Sequence, residues 1–319
     1  MSVTHNPLFS VITPSLNQGR YIEKMILSVL AQEGVSFEHF IIDGGSTDHT
    51  LDILRKYKHL RWIFEPDTGI PQALNKGFQM ARGDIIAWIN SDDYYAPDAF
   101  KKAVAFFTQN PEACVWVGRA AVVDERGKLL FYQEEPEPRG FTHEGMVRFW
   151  ENCTLPQPSV FFRRSVLEKV GLMDETLRYY MDYDFFLRLS REYAFCRTDE
   201  VLSCIGLHWE ASSVRDIAKG QLRKALFRIS RRYWGPKLSF RYYGHLFSYL
   251  NAWPGLAWKT YYDQFAFAVK RELGWDKPRT FSWSLFRRIC PFACRYPLPA
   301  AVAALKFIFR KARSTERVS

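Results

Sequence analysis

Long apolar runs are missing from this chain. The longest candidate, residues 296–309, contains Lys306 and falls short of the ~18 residues that a membrane-crossing helix needs. The N-terminus lacks the basic, apolar and small-residue succession of a secretory signal, so the expected location is cytoplasmic. Cysteine is sparse and scattered: Cys114, Cys153, Cys196, Cys204, Cys290 and Cys294 form no CxxC pair. Such thiols are expected to be reduced and packed, neither bridged nor holding zinc. Acidic residues are scarce in the last third, where residues 219–319 carry 21 Lys and Arg against 4 Asp and Glu, a net of +17. Residues 1–218 carry 23 against 30, a net of −7. An acidic body with a basic, aromatic-rich extension points to an anionic surface as partner, with a boundary near Ala218.

What is present is an alternation of strand and helix signals. The apolar run 8–13 reads as a strand ended by Pro14, and residues 21–32 put Ile22, Met25, Ile26, Val29 and Leu30 on one helical face. A second strand, 37–42, ends at Gly44-Gly45, and Asp48 caps the helix that follows it. Residues 60–64 and 85–89 read as further strands, with a helix over 71–81 between them. This alternation predicts an α/β protein with βαβ units and a largely parallel sheet. Beyond Pro97 the expectation is a helix over 99–108 and a strand pair, 115–123 and 129–132, turning at Glu125-Arg126-Gly127. A solvated loop follows at 134–138, then a strand over 157–163 and helices over 165–170 and 183–189.

Several of these strand ends carry chemistry. Asp92 and Asp93 follow the apolar stretch 84–89, and adjacent like charges are costly unless a cation or hydrogen-bond donors neutralise them. Strand ends of this kind border the ligand crevice of an open α/β sheet. A divalent metal holding a substrate diphosphate would suit the pair; the alternative is an Asp-rich turn capping the helix from Pro97. Thr13, Pro14 and Ser15 open a turn that could cradle a phosphate or nucleoside, or form an N-cap cluster for the helix from Tyr21. At Asp43-Gly44-Gly45 the glycines admit a planar ligand and Asp43 can accept from the N–H of a base, unless this is a plain tight turn. Lys76 could meet a phosphate or be merely solvated. Asp182 stands near a helix N-terminus, where the charged form is stabilised, as a proton acceptor requires; an N-cap without chemistry is the other reading. His208 could be a metal ligand, a donor to a diphosphate or a buried structural histidine.

In order and spacing, Val11-Ile12-Thr13-Pro14-Ser15-Leu16-Asn17, Ile42-Asp43-Gly44-Gly45-Ser46-Thr47-Asp48, Asp67-Thr68-Gly69 with Asn75-Lys76-Gly77, and Asn90-Ser91-Asp92-Asp93 resemble the family-2 glycosyltransferases of GT-A fold. The resemblance extends to Gln157-Pro158-Ser159-Val160-Phe161-Phe162 and Met181-Asp182-Tyr183-Asp184-Phe185-Phe186-Leu187-Arg188-Leu189, and leaves out the chain from Lys219 onward. It implies a GT-A, Rossmann-like, mostly parallel sheet flanked by helices over 1–218, with 219–319 a basic helical extension. It also implies that Asp43 reads the donor base, with Thr13, Pro14 and Ser15 against the nucleotide. Asp67, Lys76 and Asp92 join the donor side, with Asp92 near the ribose. Asp93 is expected on the cation, Mn²⁺ or Mg²⁺, with His208 as a further ligand in a loop that closes over the diphosphate. Asp182 is expected to be the catalytic base, and Met181 stands where the family has the Glu of its Glu-Asp pair.

The expected activity is thus metal-dependent, inverting transfer from a nucleotide diphosphate sugar, UDP-linked, to a hydroxyl of a lipid-linked or cell-surface glycan, in polysaccharide biosynthesis. A sugar nucleotidyltransferase would share the carboxylates and Mg²⁺ but would want a Gly-rich, Arg/Lys-bearing loop after strand one, which Thr13-Pro14-Ser15-Leu16-Asn17 is not. A catalytically silent glycan-binding or scaffold module is the non-enzyme alternative. In the extension, Arg228, Arg231, Arg232, Arg241, Arg287, Arg288, Arg310, Lys311 and Arg313 lie among Trp, Tyr and Phe. That mixture suits peripheral attachment at the inner face of a membrane, or a helical cap packing its aromatics on the catalytic domain. Nucleic-acid binding uses the same residue types, but the rest of the chain gives it no support.

Overall fold

The computed structural model describes residues 9–133, 140–149, 155–208 and 222–252. The chain divides into two compact units, Met1–His245 and Leu246–Ser319, and the first holds the whole sheet. Its first half follows the alternation read from the sequence: β1 (Phe9–Ser15), α1 (Ile22–Leu30), β2 (Phe37–Asp43), α2 (Thr50–Leu54), β3 (Leu60–Phe64), α3 (Ile70–Met80) and β4 (Ile85–Trp88). Every position of β1 is buried, as a strand covered on both faces must be. On one face Met25, Ile26 and Val29 of α1 join Val11, Ile41 and Phe9 in the main core. On the other, α3 approaches β1 so closely that a Cβ on Gly77 would overlap Ile12 Cγ2, which accounts for the glycine there. Parallel ladders give the order β3-β2-β1-β4. The direction of strand succession reverses between β1 and β4, and that reversal opens a crevice beyond their carboxyl ends.

The second half is β5 (Tyr94–Tyr95), α4 (Ala99–Gln109), β6 (Val115–Val123), β7 (Leu129–Gln133), α5 (His143–Val147), β8 (Val160–Arg163), α6 (Val166–Val170), α7 (Met181–Glu192) and β9 (Phe195–Gly206). β8 lies antiparallel between β4 and β6, β9 runs parallel to β6, and β5 pairs antiparallel with β9. β7 forms the expected hairpin with β6. The segment expected as one strand over 157–163 begins instead as a 3₁₀ turn, Gln157–Ser159, because Pro158 has no N–H for the ladder. β9 was not visible as a strand. Arg197, Asp199 and Glu200 crowd its first half, and full burial is confined to Leu202 and Ser203.

Ala218 lies outside the described residues, and the first compact unit continues past it. α8 (Leu222–Ser230) is followed by the fully buried Trp234. Ser230 Oγ donates to the Val147 carbonyl at 2.7 Å, and Arg232 Nη1 lies 3.2 Å from Asp184 and 3.3 Å from Asp174. The change in charge sign therefore does not mark the edge of the compact unit, and Trp234 follows the packed-cap reading. Residues 253–319 lie outside the described residues, as do the loop 134–138 and the run 296–309. Cys114, Cys196 and Cys204 are free thiols, while Cys153, Cys290 and Cys294 are outside the described residues. Among the described residues no helix is long and apolar enough to cross a membrane.

One buried group makes the fold sensitive to acid. His39 on β2 is fully buried, with Nε2 3.2 Å from the Thr13 hydroxyl. Burial, reinforced by nearby His59, pushes its pKa down from 6.5 to about 3. The unfolded chain binds a proton here that the folded chain refuses, so stability is expected to fall as pH drops from about 6.5 towards about 3, by up to ~1.4 kcal/mol per unit. Urea denaturation across that range is expected to show this slope, and His39→Gln to lessen it, His59 and His143 keeping a share because burial lowers their pKa values too.

Candidate active site

The ends of β1 and β2 form one edge of the crevice. Ser15 and Asp43 are register partners, and Ser15 Oγ donates to Asp43 Oδ2 at 2.9 Å. Ser46 donates to the same carboxylate twice, from N–H at 2.7 Å and from Oγ at 2.7 Å, and the Gly45 N–H adds a bond of 3.1 Å. Four donors occupy the lone pairs of a fully buried carboxylate. Asp43 thus organises the two loops, and meeting a ligand requires the Ser15 or Ser46 hydroxyl to turn outward. Asn17, at φ 54°, clasps the loops from above by accepting the Thr47 N–H at 2.8 Å. Asp48, expected to cap α2, lies one residue before its N-cap His49; it accepts the Thr50 N–H at 3.0 Å and also holds the Gly19 N–H at 2.9 Å. Thr13 lies one rung deeper, wholly buried against His39 and Met25, so it supports this edge from beneath.

Asp67 closes in over Gly44, where a Cβ would stand 2.6 Å from Oδ2. Burial raises the Asp67 pKa; the Gly69 N–H and Lys76 oppose the rise, and Asp43 and Glu65 add to it. Lys76 is ion-paired with Glu65. On the other side the Pro14 carbonyl accepts the Ser91 hydroxyl at 2.6 Å, tying β1 to the turn after β4.

In that turn the two adjacent carboxylates separate, and neither caps α4, whose N-cap Asp98 makes no side-chain bond either. Asp93 is buried, accepting the Gly206 N–H at 3.1 Å and the Asn90 amide at 3.3 Å. Burial and the charge of Asp92 push its pKa well above the ordinary value. Asp92 Oδ2 instead lies 3.0 Å from His208 Nε2. The carboxylate beside His208 is therefore Asp92, where the resemblance implied Asp93. Tyr21 stacks on the His208 ring at 4.0 Å. A Cβ on Gly206 would overlap the Asp92 carbonyl oxygen, so the tip of β9 can sit on this turn because it is glycine.

Among the described residues no group of three or more His, Cys, Asp and Glu could hold a metal ion. A separation of 3.0 Å between Asp92 Oδ2 and His208 Nε2 is that of neighbouring positions in an octahedral shell with bonds of about 2.1 Å. Two protein ligands, with the remainder from phosphate oxygens and water, is how such ions are held on nucleotide phosphates. The donor set fits Mn²⁺ or Mg²⁺.

Gln157 braces this turn from beneath. Its amide donates to the Trp88 carbonyl at 2.7 Å and its oxygen accepts from Asn90 at 3.1 Å. Gln157→Leu keeps the volume but strands the buried Trp88 carbonyl and takes one of two partners from the Asn90 amide, at an expected cost of about 1–3 kcal/mol. Chemical denaturation is expected to show that loss, and Mn²⁺ titration a weaker site.

Asp182 lies in the first turn of α7, just after Tyr180 at φ 57°. Although it keeps some exposure, protein atoms crowd its carboxylate and burial raises its pKa; the N–H of Tyr183, at 2.9 Å, opposes the rise. The helix terminus was expected to favour the charged form, but desolvation outweighs it. Asp184 takes both nearby arginines, Arg188 at 3.0 Å and Arg232 at 3.2 Å. One turn beyond Asp182, Phe186 stacks on Trp88 at 6.3 Å, which sets α7 against the end of β4. Phe185 packs on Phe162 at 5.6 Å and on Phe78 at 6.1 Å. Asp67, Asp43 and Ser15 are thus linked by contacts at the ends of β1 and β2, and Ser91, Asp92 and His208 adjoin them through the Pro14 carbonyl. Asp182 makes no hydrogen bond or ion pair with any of these, although its helix is set against the end of β4 by Phe186 and Trp88. The reading from sequence passed over Ser46, Ser91, Asn90, Gln157, Tyr21 and Gly206. The first four stood inside the quoted motifs as small or amide side chains able to bond carboxylates, whereas nothing marked Tyr21 or Gly206.

Residues 10–171 match the family model described as Glycosyl transferase family 2. An uncharacterised glycosyltransferase of Rickettsia typhi is 29% identical over 203 residues, covering 60% of this chain and 62% of that protein. The chain also resembles S. aureus TarS 1–349 in complex with UDP-GlcNAc, with a TM-score of 0.55 and 20% identity over 70% of this chain and 64% of that one. A mannosyltransferase from Pyrobaculum calidifontis, in complex with GDP-Man and Mn²⁺, gives a TM-score of 0.57 and 18% identity over 95% of this chain and 84% of that one. At such identities the two structures establish the fold, which is of GT-A type.

Proposed function

Because the chain belongs to glycosyl transferase family 2, we propose that it transfers a sugar from a nucleotide diphosphate sugar to an acceptor hydroxyl, with inversion at the anomeric carbon. The observation that carries this reading is the Asp92–His208 pair, 3.0 Å apart although 116 residues separate them, adjoining the edge that holds Asp43 and Asp67 through the Pro14 carbonyl. Asp43 and Asp67, with Ser15 and Pro14, would receive the nucleoside; Thr13 supports them from below. Lys76 would balance the acidic edge at Glu65 and Asp67. Asp92 and His208 would hold Mn²⁺ or Mg²⁺, which when bound offsets charge on the departing diphosphate. The imidazole ligand favours Mn²⁺ over Mg²⁺. Asp93 would keep the turn attached to β9. Asp182, a carboxylate with a raised pKa and no ion pair among the described residues, would take the acceptor's proton as its oxygen attacks from the face opposite the diphosphate.

A UDP-linked donor is the first choice, supported by the UDP-GlcNAc complex of TarS. The acceptor would be a lipid-linked or cell-surface glycan under construction, met at the inner face of a membrane. Of the loop 134–150, on which the choice of acceptor would depend, residues 134–139 and 150 lie outside the described residues, as do residues 209–215 after His208.

Thermal unfolding with a panel of nucleotide sugars and Mn²⁺ tests the reading. One donor is expected to raise Tm in a Mn²⁺-dependent manner, and its slow hydrolysis or transfer distinguishes an enzyme from a silent glycan-binding protein. No stabilisation and no turnover with any of them would refute it.

A further inference from the structure

The turn that follows α8 holds two large apolar side chains almost wholly in water. Leu238 is 90% exposed and Phe240 99%, and Tyr243, one helical turn on, is 54% exposed. Side chains of this kind are ordinarily covered, and a cluster of them left bare marks a contact surface. The segment is firmly rooted. Trp234 is fully buried, its Nε1 donates to Ser230 Oγ at 2.8 Å, and its ring meets Phe227 at 5.4 Å, Tyr242 at 5.5 Å and His245 at 5.9 Å. Gly235, at φ 87°, then turns the chain. The Ser239 N–H donates to the Pro236 carbonyl at 2.9 Å, and Ser239 Oγ accepts the Tyr242 N–H at 3.2 Å, capping the helix that starts at 240. Leu238 and Phe240 are thus thrust outward from an anchored base.

Charge identifies what would cover them. Residues 222–245 contain seven Lys and Arg and no Asp or Glu. Arg232 is engaged by Asp174 and Asp184, and Arg241 lies 3.7 Å from Glu144. Arg228, Arg231 and Lys237 are exposed on the same segment. An all-cationic segment repels a second copy of itself, while a nucleic acid would use the cations and leave Leu238 in water. An anionic bilayer satisfies both, with phosphates for the cations and an acyl boundary for the apolar side chains.

We propose that this turn docks the protein on an anionic lipid surface. Leu238, Phe240 and Tyr243 enter the boundary between headgroups and acyl chains, and Arg228, Arg231 and Lys237 meet lipid phosphates. The ring and hydroxyl of Tyr243 suit that depth, one end apolar and the other wet. A lipid-linked acceptor would then diffuse in the plane to which the catalytic domain is held.

The test is flotation of the full-length chain with vesicles of phosphatidylcholine, alone or with about one-third phosphatidylglycerol. The wild type is expected to float with the anionic vesicles and to be released as salt rises. The double variant Leu238→Ser/Phe240→Ser is expected to lower the bound-to-free ratio about tenfold or more. Its Tm should be unchanged, since both side chains already stand in water. Arg231→Glu/Lys237→Glu is expected to release the protein at low salt. A Leu238→Ser/Phe240→Ser protein that floats like the wild type, or a wild type indifferent to anionic vesicles, overturns the proposal. Self-association abolished by the apolar variant in the absence of vesicle binding also overturns it, in favour of a second copy as occupant. The vesicles carry no sugar nucleotide, so failure here leaves the transfer reading standing.

Discussion

Asp182→Asn is expected to lower the transfer rate by about 10²–10⁴-fold, the range over which a positioned proton acceptor acts, while leaving donor affinity nearly unchanged. The side chain keeps its size, and its bond to the Tyr183 N–H can persist through the amide oxygen, so α7 should stay on Trp88 and Phe162. What is lost is the ability to accept a proton. The pH profile provides a second check. Burial raises the Asp182 pKa above 3.8, and the unprotonated form is the active one. The rate of the wild type is therefore expected to climb with pH through that raised value and then level off, and the residual rate of the variant to lack this limb. Stopped-assay transfer rates with calorimetric titration of the donor measure both quantities. Equal loss of rate and donor binding would remove Asp182 from the base role and leave it a structural one.

The second large effect separates two neighbours. Asp92→Ala is expected to weaken Mn²⁺-dependent donor binding by about 100-fold, or roughly 2.7 kcal/mol, with the smaller loss of stability of the two, because the Asp92 side chain is partly exposed and among the described residues it bonds His208 alone. Asp93→Leu is expected to do the reverse. It strands the Gly206 N–H and the Asn90 amide, costing about 1–3 kcal/mol of stability. The comparison is made by measuring, for each variant, the Mn²⁺ dependence of donor binding and the denaturation midpoint. A normal Mn²⁺ response in Asp92→Ala together with its loss in a stably folded Asp93 variant would restore the assignment implied by the family resemblance.

How much could be read without coordinates follows from how local each signal is. The four parallel strands and their helices were legible because each depends on short-range periodicity and on breakers such as Pro14, Gly44 and Gly45. The acidic turn was legible because two adjacent carboxylates on an apolar stretch have few explanations. Which carboxylate faces His208 was not, since that depends on where the tip of β9 arrives. β9 itself was hidden by its charged first half, being stabilised by β6 on one edge and β5 on the other. The saturation of Asp43 also escaped notice, because Ser15 and Ser46 come from different loops and their hydroxyls converge only once β1 and β2 are in register. The charge asymmetry around Ala218 misled about the compact unit, since Ser230, Arg232 and Trp234 are committed to the body by contacts that no composition shift reveals.

The joining of the Asp92 turn to β9 bears on how the protein matures. A ribosome delivers Asp92 long before His208, which is 116 positions later. The four parallel strands and the Asp43 clasp are encoded ahead of it, although Phe9 of β1 still waits on Phe100 and Phe161 for its packing. The proposed Asp92–His208 cation site waits until the last strand of the sheet has been added and Gly206 has seated against the turn. Competence for the proposed chemistry is therefore tied to a late event, the arrival of the tip of β9 at the Asp92 turn.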